Sequence, residues 1–164
     1  MERTMTDWKD SVRAYCDKWR AYARNVRDGS IPPGATEREL SSLCRDFESR
    51  GLHLDDEVIA LLRIVNGTSY NGLAFDGAAI PDRDVYHRED LVHSNDQYND
   101  EPSRYTLYGT WDTDLYRFDN VASEYQVLDN GGGGVMKTFP TFGELVEYAI
   151  TTYVLKPIQE QLEP

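Results

Sequence analysis

Apolar residues recur at steps of three and four from the start of the chain. Trp8, Val12, Tyr15, Trp19, Tyr22 and Val26 form one stripe over five turns, which predicts an amphipathic helix. Thr6 can cap its start, and Asp28-Gly29 followed by Pro32-Pro33 ends it. A second helix opens at Thr36 with Glu39 completing a capping box; Leu40, Leu43, Cys44 and Phe47 are its inner face, and Gly51 closes it. A third follows Leu54, where Asp55, Asp56 and Glu57 occupy the positive end of the helix dipole. Its run VIALLRIV is apolar on nearly every side, as in a central core helix, and Asn66-Gly67 is its left-handed stop.

Beyond Gly67 the period shortens. Gly72–Phe75, Thr106–Trp111, Asp114–Phe118, Glu124–Leu128 and Val135–Phe139 read as short strands between turn residues. A polar segment, 81–104, separates the first strand from the second and is long for a structureless connection. Thr141 and Glu144 announce a last helix carrying Leu145, Val146, Ala149, Ile150 and Tyr153. The order predicts an α+β fold: N-terminal helices, an antiparallel β-sheet meander, and a C-terminal helix packed on the sheet. At 164 residues, the chain suits one domain over 1–164, with a helical part at 1–50 and a core at 51–155.

Charge adds a direction. The formal net charge is -12, yet residues 1–50 carry ten Lys/Arg against nine Asp/Glu. Between Asp76 and Asp129, thirteen acids face four arginines. Such a surface repels nucleic acid and anionic membranes, and it attracts basic proteins. The charged stretch MERTMTDWKDSVR lacks the apolar core of a signal peptide, and no apolar run spans a bilayer, so a cytoplasmic location is expected. Cys16 and Cys44 are expected to be buried, reduced thiols.

Several groups invite chemistry. In YGTWDTDLYRFD, residues 108–119, Asp112 and Asp114 are spaced like a metal-binding pair, with Asp119 further on, but the spacing fits a hairpin with aspartates at its turn. Tyr116 and Phe118 then share one face, with Leu115 and Arg117 on the other. HREDLVH, residues 87–93, offers His87, Glu89, Asp90 and His93 without the spacing of a zinc helix, and reads as an exposed loop. His53 has no relay partner in sequence. GGGG, residues 131–134, lacks the lysine and following helix of a phosphate loop and reads as a strand connection. No serine or cysteine sits in a nucleophile elbow. No catalytic residue, metal site or cofactor is assigned. Tyrosines set among carboxylates are read as a candidate protein-binding face. Its candidate members are Asp82, Asp84, Tyr86, Glu89, Asp90, Asp96, Tyr98, Tyr108, Asp112 and Asp114.

EVIALLRIVNGTSYNGLAF, YGTWDTDLYRFD and EYQVLDNGGGGVMKTFPTFGELVEYAI, in that order, resemble the SUKH superfamily, named for yeast cell-wall regulators, and especially its YrhA-like bacterial branch. The resemblance covers roughly 50–155. It implies a non-enzymatic α+β domain of the kind that serves as an immunity protein, binding a cognate polymorphic toxin, often a nuclease. An adaptor of the same fold binding a basic protein or peptide is the alternative. Asn66, Gly67, Gly109, Trp111, Asp114 and Phe142 match the pattern and are expected to specify the fold.

Overall fold

A computed structural model describes residues 7–129 and 131–155. Helices α1 (Trp8–Val26), α2 (Glu37–Arg50) and α3 (Asp56–Ile64) precede β1 (Leu73–Phe75), and α4 (Leu91–Tyr98) follows it. Strands β2 (Tyr105–Trp111), β3 (Asp114–Asp119), β4 (Glu124–Asp129) and β5 (Val135–Phe139) lead into α5 (Phe142–Ile150), which runs on as a π-helical turn at Thr151–Leu155. The five strands pair antiparallel in the order β1-β2-β3-β4-β5. The molecule is therefore an α+β meander, and α5 packs on β4 and β5.

Local chemistry accounts for most boundaries. At α2, Thr36 accepts from the Glu39 amide at 3.2 Å while Glu39 accepts from the Thr36 amide at 2.9 Å. Gly51 ends that helix at φ 66°, a conformation that costs a Cβ-bearing residue more. Asp55 caps α3 by accepting from the amides of Glu57 and Val58.

Thr6 lies outside the described residues; Asp7 caps α1 by accepting from the Lys9 amide at 3.1 Å. Tyr22 and Val26 belong to the predicted stripe, but both are exposed, and Ala23 takes the inner position as the stripe drifts around the helix. Cys16 is buried as expected. Cys44, expected inside, is exposed: Leu40, Leu43 and Phe47 complete the inner face of α2 without it. Helix α3 is less central than its composition implied, since Arg63 is exposed and Ile59 only half-buried. The chain leaves it at Val65 in an extended conformation, so the left-handed Gly67 lies beyond the stop.

The helix-facing side of the sheet carries the core. Phe142 meets Phe75, Tyr108 and Tyr125 at ring-centroid distances of 6.0, 5.4 and 5.6 Å. Its burial, with Tyr116 and Val127 beside it, supplies the apolar driving force for closing α5 onto the strands. Gly109 lets β1 approach β2: a Cβ there would stand 2.3 Å from the Ala74 carbonyl oxygen. Trp111 stacks on Tyr153 at 3.8 Å, and the Asn66 amide brackets Ala78, donating to its carbonyl at 2.8 Å and accepting from its N–H at 2.7 Å.

Candidate protein-binding groove

Strand β1 is only three residues long, so it leaves the first half of β2 without a neighbouring strand on that edge, β3 pairing the other. Helix α4 stands in for one. Asn95 donates to the Leu107 carbonyl at 3.0 Å and accepts from its N–H at 2.9 Å; one turn on, Asn99 donates to the Tyr105 carbonyl at 2.8 Å. These side chains satisfy backbone groups that a sheet edge would otherwise leave bare. The helix is set by Asp90, which caps it through the His93 amide at 3.0 Å and also holds the Ile80 amide at 2.9 Å.

Between α4 with its following loop and the open face of the sheet runs a groove of about 800 Å³. Leu107, Leu115 and Leu128 line its sheet side, Tyr98 and Tyr105 its flank, and Glu89, Asp100 and Glu101 its rim. Tyr98 is 63% exposed. Arg117 also lines the groove, but its guanidinium lies 3.7 Å from the Tyr105 ring centroid and its Nε donates to Gln126 at 2.9 Å.

Asp76, one residue past β1, reaches the same groove while only 8% exposed. Burial pushes its carboxyl up to about 8, the Ser94 hydroxyl works against that rise, and the charges of Glu89 and Asp90 reinforce it. Sequence reasoning counted Asp76 only as the first acid of a charged run. An acid directly after Leu-Ala-Phe of a buried strand was the one available signal.

The expected contact residues divide. Asp82, Glu89, Asp96, Tyr98 and Asp112 are exposed, although Asp96 is bound to Arg50 by two hydrogen bonds of 2.8 and 2.9 Å. The other five serve the fold. Tyr108 is 1% exposed and donates from its hydroxyl to the His53 carbonyl, so it presents no surface. Asp114 is buried in β3 and accepts from the Tyr153 hydroxyl at 3.3 Å. Asp84 chelates Arg88 at 3.0 and 2.8 Å and takes the Tyr86 and Arg88 amides; burial raises its carboxyl, and these donors outweigh burial to hold it below the usual range. Tyr86 packs edge-on against Trp19 and donates to the Ser30 carbonyl. Asp90 is the half-buried cap of α4.

The groups that invited chemistry are dispersed. Asp114 and Asp119 stand at opposite ends of β3, and Asp112 is an exposed turn residue with φ 50°. Asp129 accepts from the amides of Gly131 and Gly132, both at 3.0 Å, within the β4–β5 loop. Segment 81–104 is ordered around Arg88 and α4, against the reading of 87–93 as a simple exposed loop. His53, which lacked a relay partner in sequence, has two in space: the Tyr125 hydroxyl at 3.2 Å and Asp55 at 3.5 Å. The ring stacks on Phe118 at 3.7 Å, and Tyr125 donates to the carboxylate that caps α3, so the trio locks α3 to the sheet. Among the described residues no three His, Cys, Asp or Glu side chains gather as metal ligands, and no helix is long and apolar enough to cross a membrane.

Compared with family models, with curated proteins and with solved structures, the chain finds no match.

Proposed function

We propose that the protein acts by binding another protein along the α4 groove, without bond-making chemistry of its own. In this reading it is an immunity protein of SUKH type, and its partner is a basic toxin whose cationic cleft it fills. One observation carries the reading: a largely exposed tyrosine, Tyr98, stands with Glu89, Asp100 and Glu101 around a groove walled by leucines. An aromatic anchor on an apolar wall, ringed by exposed carboxylates, combines binding energy with steering. The resemblance of the sequence to SUKH domains is what suggests the toxin as partner class.

Co-expression with the toxin encoded beside the gene tests this reading. Restored growth and a co-purifying complex are expected; continued killing with no complex would overturn it. Reversing Asp82, Glu89, Asp100 and Glu101 together should slow association about tenfold or more at low salt, and far less at high salt. The groove is sized for a segment of chain, which favours as a second reading an adaptor that grips a basic peptide.

A further inference from the structure

Among the described residues, several buried and half-buried carboxylates come with donors matched to them. Asp119 has Arg104, Asp84 has Arg88, Asp55 has His53 and Tyr125, and Asp114 has Tyr153. Asp76 differs. It forms no salt bridge among the described residues, and the side chains that act on it are the Ser94 hydroxyl from α4 and two further acids, Glu89 and Asp90, from the loop before α4. Arg117, the cation of the groove wall, is committed to Tyr105 and Gln126. A carboxyl in such surroundings is costly to ionise, and an asparagine would fill the position without that cost.

We propose that Asp76 is the anchor point of the groove, receiving one cationic side chain, lysine or arginine, projected by the partner protein. The proposal rests on the protein-binding reading above and names the chemistry of its central contact. The residue follows Phe75 with its side chain away from the core, just past β1, and so opens onto the groove beneath α4 and not onto the core side covered by α5. Tyr98, largely exposed, and Tyr105 line the same groove and offer apolar surface to the stem of a long cationic side chain. With the groove empty, burial favours the neutral acid; an arriving ammonium or guanidinium takes the place of the proton, which passes to solvent. Glu89 and Asp90 then add to the attraction that they deny to Asp76 alone.

Nuclear magnetic resonance titration of the full chain with Nα-acetyl-lysine methylamide, and with its norleucine counterpart, tests the anchor. The lysine probe should shift the amides of Ser94, Gly109 and Thr110 saturably and move the Asp76 carboxyl resonance to its ionised position at pH 7. Norleucine should bind at least tenfold more weakly. Asp76→Asn should erase the preference. Equal binding of the two probes by the unaltered chain would overturn the proposal without recourse to any variant, as would an Asp76→Asn protein that folds and keeps the preference. If the unaltered chain and Asp76→Asn bind the basic partner equally, the anchor falls while protein binding stands. A chain that takes lysine at Asp76 yet binds no basic protein retains the anchor and loses the protein-binding reading.

Discussion

Asp119 at the β3–β4 turn and Asp76 at the end of β1 are both nearly inaccessible, at 1% and 8% exposure, and they have been treated in opposite ways. Asp119 accepts from Arg104 at 3.2 and 3.1 Å, from the amides of Val121 and Ala122, and from Gln126 at 3.3 Å. The Arg104 bonds, helped by the two turn amides, hold its carboxyl below the usual range. Asp76 has acids for neighbours, and burial lifts it to about 8. A buried carboxylate that builds a turn is surrounded by donors. Asp76, with one hydroxyl among acids, lacks that surround, and this is the contrast on which the proposed anchor rests.

The comparison yields three tests. The largest effect is expected from Asp119→Ala, which strands two turn amides and should cost about 2–3 kcal/mol in urea denaturation. Because the folded carboxyl is depressed, its contribution is present above the ordinary Asp range and fades as pH falls through the lowered value. A variant as stable as the parent would erase the distinction. Asp76→Asn should do the reverse. With the folded carboxyl raised, the stabilisation from its retained proton is full below the unfolded value and is lost as pH climbs through about 8. Stability in urea denaturation should therefore drop further between pH 5 and pH 9 for the parent than for the Asn variant. Parallel pH profiles would place Asp76 among the ordinary acids. Least of all should stability respond to Tyr98→Ala, within about 0.5 kcal/mol, although partner binding should weaken; a larger loss would make Tyr98 a fold residue.

The elements with strong periodicity or capping were legible in the sequence: the α2 capping box, the five strands to within a residue or so at their ends, and the α5 cap at Thr141. Helix α4 was not, because LVHSNDQY has no apolar stripe. Its role lies in Asn95 and Asn99, whose amides replace strand hydrogen bonds, and no local pattern announces that function. The candidate surface was half legible. Charge density marked the region, but counting acids cannot separate an exposed Glu89 from Asp84, spent on Arg88, or from Asp114 inside the sheet. Asp76 was hidden for the opposite reason: its place in the groove depends on α4.

Asn66-Gly67 is a dipeptide prone to spontaneous ageing, since in a loose chain the glycine nitrogen attacks the asparagine amide and expels ammonia. Here the Asn66 side chain is clasped at both ends by Ala78, and the Gly67 N–H is engaged by the Val65 carbonyl at 3.0 Å. Cyclisation is thus confined to moments when that clasp opens. Conversion to aspartate would set a negative oxygen against the Ala78 carbonyl, so each such lapse leaves a permanent chemical record and a clasp that no longer closes.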